Sequence, residues 1–436
     1  MARLKDALHT LLDLLAGLPI DDDARQTGFV HRQPKKIQPL LFVQAGMLLV
    51  SQGRTSLERW ASLLGTLSNL VISKQALWER LTLGMVRFMR RVLAQVMGRV
   101  AQLPTHAAWL ASLGFKRILL EDSTLVRLCA TLAKDFPGSS NQCGTKDGQL
   151  RIQCVYDLMS QSFVRFALSS FRLNDRAVAL NIVKLVRAGD LIIRDLGYFV
   201  LKAFQEFELL KAFFVSRLRS DTLIYQADGL KEVDLLEWLK RYGNVDQWVS
   251  QGHIKTPARL VAIKLEESVA NERRRRARHN RDRRSPPGAR ELALLGWAIL
   301  VTNIPAEQLS AQAIARLYGL RWRIEIVFKT WKSHFKLLAV PKGSVHELEA
   351  VIYARLIFLT GFMQACALGW LRPEAAQESS RSLLKLAALV ADFFMVLFFE
   401  ALGRSVTEAV LLQMLYHTRY DRRRRKNFSR ELNTLS

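Results

Sequence analysis

The apolar residues of this chain change their spacing near residue 110, and that change restricts it to a mixed α/β fold. Up to residue 110 they recur at steps of three and four, through 37–50, 56–67 and 73–100, which predicts helices with one packing face. Ser56 and Ser73 stand where N-caps are expected. The segment 56–81, SLERWASLLGTLSNLVISKQALWERL, reads equally as a helix-turn-helix, which would put a helix in a DNA groove, or as part of a plain helical bundle. From 116 the texture becomes strand-like. KRILLEDSTLVRL is a short strand, and GQLRIQCVYDLMSQSFVRFALSS is a hairpin turning near Ser160–Ser162. A helix over 175–188, the strand AGDLIIRDLGYF, a helix near 198–209 and the strand KAFFVSRLR follow. Antiparallel strands followed by strand–helix alternation predict an α/β domain on a mixed sheet.

Residues 219–290 interrupt this domain. They hold a helix (233–241), a strand (RLVAIKLEE) and the run RRRRARHNRDRRSPPGAR at 273–290, which as a block of like charge is expected to be solvated and mobile. WAILVTN (297–303) restores the strand pattern, a long helix is predicted over 310–335, and 345–420 reads as helical. The basic tail RYDRRRRKNFSR is expected to fray. The division is therefore a helical 1–110, a sheet domain at 111–218 and 297–340, an insertion at 219–296 and a helical 341–436.

Charge narrows the partner. Lys and Arg number 64 against 39 acids, a formal +25. Such a surplus attracts polyanions and releases condensed counterions on meeting phosphate, so nucleic acid leads and a membrane surface is the competitor. The most apolar windows, 350–370 and 391–402, are too short or too broken by charge to span a bilayer and read as buried helices. The N-terminus lacks the pattern of a secretion signal. Cys129, Cys143, Cys154 and Cys366 form no CxxC pair, which argues against a zinc ribbon or disulfide scaffold and suits a reducing cytoplasm.

The chemistry concentrates in LYGLRWRIEIVFKTWKSHFK, 317–336. On a helix, Leu317, Leu320, Ile324, Val327 and Trp331 share a stripe about 80° wide, while Tyr318, Arg321, Glu325 and Lys332 share an arc of about 60° opposite it. A solvated amphipathic helix with ordinary charge pairs would look similar. Here, however, a lone carboxylate stands among Arg321, Lys329 and Lys332, which suits a metal held beside bound phosphate. Asp122 lies within the first strand and Asp195 ends the strand LIIRD before Gly197. Separately they could be a strand-end acid and a helix N-cap. Together with Glu325 they can converge at one sheet edge, where α/β sheets present ligand groups. Three carboxylates suit Mg²⁺ or Mn²⁺. Two such ions about 3.5–4 Å apart support in-line phosphoryl displacement. Nothing resembles HExxH, a P-loop or GxSxG.

The chain resembles a DDE transposase of the insertion-sequence-four family. Tyr318, Arg321, Glu325 and Lys332 carry the spacing of that family's Y-R-E-K signature, LLEDST resembles its first Asp strand, and Asp195-Leu196-Gly197-Tyr198 matches its D-x-G-[YF] motif. The long gap between Asp195 and Glu325 matches the family's insertion domain. The resemblance covers 110–340 and implies a ribonuclease H-like core with Asp122, Asp195 and Glu325 as catalytic ligands of two Mg²⁺ or Mn²⁺ ions. It also implies double-stranded DNA, as element ends and target, for partner, and a homodimer in the DNA complex with a dimer contact possible in the helical C-terminal region. Tyr318, Arg321 and Lys332 would contact the DNA backbone, with Lys329 nearby, and Trp322 could stack on an unpaired base. Trp331, on the packing stripe, belongs to the core. Two other readings stay open: a DNA-binding protein that has lost catalysis, and a metal-dependent nuclease that cuts without joining.

Overall fold

A computed structural model describes residues 9–10, 12–32, 36–101, 110, 112–140, 146–280, 286–366 and 382–402. Cys143, the far part of the arginine run (281–285) and the basic tail lie outside them.

The first helices are α1 (Ile20–Gln26), α2 (Pro39–Ser51), α3 (Leu57–Ser68), α4 (Lys74–Trp78) and α5 (Leu83–Val100). Ser56 and Ser73 cap α3 and α4 as expected, accepting from the Arg59 and Ala76 amides. In the helix-turn-helix candidate, the second helix is only five residues long, and Leu57, Trp60, Leu63 and Leu64 of the first are buried. Trp60 Nε1 donates to the Phe42 carbonyl, which ties α3 to α2.

The sheet begins with β1 (Arg117–Leu128), β2 (Pro137–Ser140), β3 (Lys146–Asp157) and β4 (Ser162–Ser170). After a short helix α6 (Asp175–Val178) come β5 (Asp190–Arg194), α7 (Leu201–Leu209) and β6 (Phe213–Arg217). β3 is antiparallel to both β1 and β4, whereas β1, β5 and β6 run parallel. The order β4-β3-β1-β5-β6 is that of a ribonuclease H-like sheet. Both faces are covered, which is why the central strands read as continuous apolar runs. In β1 and β5, Ile118, Leu120, Leu191 and Ile193 face one core, and Leu119 and Ile192 face the other.

The expected helix over 175–188 is shorter than predicted, breaking into α6 and a 3₁₀ segment at Asn181–Leu185. The Ala179 carbonyl, which would continue the helix, instead accepts from the buried Arg194 guanidinium.

The insertion extends the same sheet. It contributes β7 (Ile224–Tyr225), β8 (Glu232–Val233), α8 (Leu235–Tyr242), β9 (Val245–Gln251), β10 (Thr256–Lys264), α9 (Glu267–Arg278) and α10 (Ala289–Leu294). β11 (Trp297–Thr302) then pairs with both β6 and β10. Over 273–278 the arginine run is helical, with Arg275 and Arg276 exposed to solvent as expected. It forms the second half of α9, where Glu272 pairs with Arg275 and Arg276 at helical spacing.

The long helix predicted at 310–335 is two helices, α11 (Ala311–Gly319) and α12 (Trp322–Ser333). At the junction the Leu320, Arg321, Arg323 and Ile324 amides bond three residues back, a 3₁₀ tightening that re-aims α12. The predicted packing stripe is correct, since Leu317, Leu320, Ile324, Val327 and Trp331 are all buried. Finally, α13 (Val345–Ala365) and α14 (Leu383–Ala401) close the same core as the N-terminal helices. Among the described residues α13 alone is long and apolar enough to cross a membrane, and nearly all of it is buried inside the protein.

α2, α3 and α13 meet at Gly46, where an added Cβ would lie 2.9 Å from the Trp60 ring and 3.2 Å from the Ala354 Cβ. Gly46→Val should therefore overpack this junction and cost about 1–3 kcal/mol, read as a lowered urea midpoint with an unchanged slope. An unchanged midpoint would mean that the helices are not held this tightly.

Candidate active site

Parallel pairing sets Asp122 and Asp195 side by side. Glu121 is opposite Arg194 in the β1–β5 register, so Asp122 and Asp195 follow at the same level on neighbouring strands. Strand alternation decides which acid of Glu121-Asp122 faces Asp195 and α12. Asp122 points with Leu120 toward the face on which α12 packs, and Glu121 points with Leu119 to the other. The break at Leu320–Arg321 aims α12 so that Glu325 comes over the same edge.

Arg321 stands among the three carboxylates. Its Nη2 is 2.6 Å from Glu325 Oε1, its Nη1 is 3.9 Å from Asp122 Oδ2 and its Nε is 3.8 Å from Asp195 Oδ1. The first contact is a hydrogen-bonded ion pair. The other two are too long for hydrogen bonds, and Nε has no partner. Burial drives the Asp122 carboxyl up to about 7; the Ser123 amide, donating at 2.7 Å, and Arg321 oppose this, while Asp195 and Glu325 add to it. Burial also works against the Arg321 charge, but Asp195, Tyr318 and Glu325 outweigh it and hold the guanidinium above its ordinary range. These acids thus repel one another and attract a cation.

The remaining predicted residues surround this cluster. Arg321 lies 5.9 Å from the Tyr318 ring centre and 5.7 Å from that of Trp322. The Tyr318 hydroxyl is buried without a hydrogen-bond partner, and burial pushes it up to about 12. Trp322 is 57% exposed, so its ring is open to a ligand. Lys332 is half-buried and is lowered by that burial, although Asp122 draws it up. Lys329 is exposed, farther along α12. Trp331 is core, 5.3 Å from the Phe163 ring.

Sequence reasoning missed a supporting layer. Arg194 and Glu121 form a buried ion pair at 2.6 Å on the opposite face, with Arg194 lying over the Tyr198 and Phe207 rings. Ser123 and Arg151 both donate to Asp175 Oδ1, at 2.8 and 2.9 Å. Gly197 approaches this network closely, since a Cβ there would be 3.2 Å from Asp175 Oδ2. The available signal was a charge inside an otherwise apolar strand, LIIRD, which demands a buried partner.

The donor set at the edge is entirely oxygen, as hard divalent cations prefer, and two of the three carboxylates lack a close cationic partner. The residues therefore fit Mg²⁺ or Mn²⁺. Among the described residues no three His, Cys, Asp or Glu side chains stand close enough together to hold a metal as arranged; here the Arg321 guanidinium is interposed.

The family model of the transposase DDE domain matches residues 113–360, more than half of the chain. The chain belongs to the DDE transposase family. It is an enzyme of that class, and its curated relatives are transposases of bacterial insertion sequences. The transposase of insertion sequence element IS231E from Bacillus thuringiensis is 25% identical over 426 residues, spanning 91% of this transposase and 87% of that protein. The transposase of IS1151 from Clostridium perfringens is 26% identical over 311 residues, 66% and 65% of the two chains. Among solved structures, the piggyBac transposase in a synaptic complex with hairpin DNA overlaps with a TM-score of 0.45 and 12% identity, covering 96% of this chain and 87% of that one.

Removing one member of the Glu121–Arg194 pair should strand a buried charge. Arg194→Met or Glu121→Leu alone is expected to cost about 3–5 kcal/mol, and the double variant much less than their sum. Denaturation of the three variants measures the coupling; additive losses would mean that the pair does not act as a unit.

Proposed function

We propose that this transposase binds the inverted repeats at the ends of its element, cuts the DNA there and joins the 3′-hydroxyl ends to target DNA. The observation that supports this reading is one guanidinium within 4 Å of three carboxylates brought from β1, the end of β5 and α12. Asp122, Asp195 and Glu325 are the ligands for two divalent ions. Held there, two such ions would supply Lewis-acid activation of a water or 3′-hydroxyl and charge stabilisation for the leaving oxygen of an in-line displacement.

The protein's own groups position the DNA. Arg321, already over the carboxylates, offers a fork of donors to a phosphate near the scissile bond, and Lys332 offers a point charge from the next turns of the helix. Tyr318 presents an unused hydroxyl on the same side. Trp322 offers its exposed ring to an unstacked base, and Lys329 steers the backbone from the rim. The helical region 1–110 adds contacts to the element end, and the region 341–436 the dimer contact that pairs two ends. The net +25 supports binding of duplex DNA as a whole.

Asp122→Asn, Asp195→Asn and Glu325→Gln should each reduce end cleavage by more than the roughly 10–100-fold that loss of an outer-shell partner costs. Gel shifts on an end duplex should change little. A variant that cuts like wild type removes its residue from the ligand set. For the unmodified protein with Mg²⁺, end binding without nicking favours a DNA-binding derivative, and nicking without joined products favours a nuclease.

A further inference from the structure

The arginine-rich run is the one motif that the proposed chemistry leaves unused, and the fold carries it to the catalytic edge. β6 lies beside β5 with Ser216 opposite Arg194, so Arg217 follows at the level of Asp195. Val215 packs in the same core as Leu120 and Ile193. By strand alternation Arg217 therefore faces the side on which Asp122 and Asp195 stand. β11 comes next, with Leu300 opposite Arg217. At its start, α9 returns over the edge, and Arg273 Nη1 donates to the Trp297 carbonyl at 3.3 Å.

Of the four consecutive arginines, Arg274 is taken by Glu267, and Arg275 and Arg276 by Glu272. Arg273 turns inward instead, and among the described residues neither it nor Arg217 makes an ion pair with an acid. The two cations are close enough to interact. Burial first and then Arg217 push the Arg273 guanidinium below its ordinary range, while Tyr318 pulls it up. Tyr318 also feels Arg217, and its buried hydroxyl, close to the Arg321 side chain, makes no hydrogen bond of good geometry. Two unpaired like charges beside an unused donor are unfavourable by themselves and favourable around an anion.

We infer that Arg217 and Arg273, with the Tyr318 hydroxyl beside them, grip one backbone phosphate of the DNA strand that leaves the carboxylates toward the insertion. This rests on the proposed reading of the chain as a DNA-cutting transposase. The phosphodiester belongs either to the element end or to the target.

The test is duplex binding by the full chain across a salt series, in chelator so that no strand is cut. Two probes are used, one carrying the element end and one of unrelated sequence. Arg217→Gln and Arg273→Gln should each weaken binding about tenfold and lower the log–log salt slope by roughly one. Because they share one phosphate, the double variant should lose little more than either single variant. Arg273→Lys should keep the slope. An effect on the end probe alone assigns the phosphate to the element; an effect on the unrelated probe assigns it to the target. A folded double variant with the wild-type slope on both probes overturns the inference. Should Arg273→Gln fail to fold, the exposed Arg217→Gln decides alone. A parallel Mg²⁺ reaction keeps the two readings apart. Wild-type protein that binds but never nicks defeats the catalytic reading and leaves the phosphate contact standing; wild-type protein that nicks beside variants with unchanged slopes defeats only the contact.

Discussion

The parallel pairing of β1 with β5 is the constraint from which the site follows. Two carboxylates on separate segments meet only if their strands run in the same direction and in one register, and the Glu121–Arg194 step supplies both. That step is itself a buried ion pair, so the register is locked by charge on one face while it presents acids on the other. A slip by one residue would exchange the faces, putting Glu121 at the edge and Asp122 in the core.

The edge so formed carries a sequence of charge: an acid on β1, an acid after β5, a cation at the end of β6. Arg321 bridges this row to Glu325. The arrangement concentrates negative charge on β1 and at the end of β5 and positive charge beside it, as the proposed metal and phosphate sites require. A single guanidinium, that of Arg321, stands over all three acids, of which Asp122 is the most deeply set.

Much of this was legible in the sequence because both signals are periodic. The runs ILL and LII predicted strands of a mixed sheet, and the apolar stripe from Leu317 to Trp331 predicted the packing face of α12. The resemblance then singled out Asp122 over its neighbour, which alternation explains. What stayed hidden depended on contacts distant in sequence. The break at Leu320–Arg321 is made by local hydrogen bonds that leave the apolar spacing intact. The strands β7 and β8 are two residues each and carry no pattern. The helical order of the arginine run and the inward turn of Arg273 stayed hidden because nothing in the composition of the run discloses Glu272 as an intrahelical partner or the Trp297 carbonyl as an anchor.

The shared core of the two helical ends has a consequence for how the protein is made. α5 and α2 pack against α13, so part of the apolar surface of the first hundred residues is covered only by residues beyond 345. Completion of this core therefore depends on contacts between residues far apart in sequence, which slow folding. A chain stopped before α13 would leave that part of the surface bare.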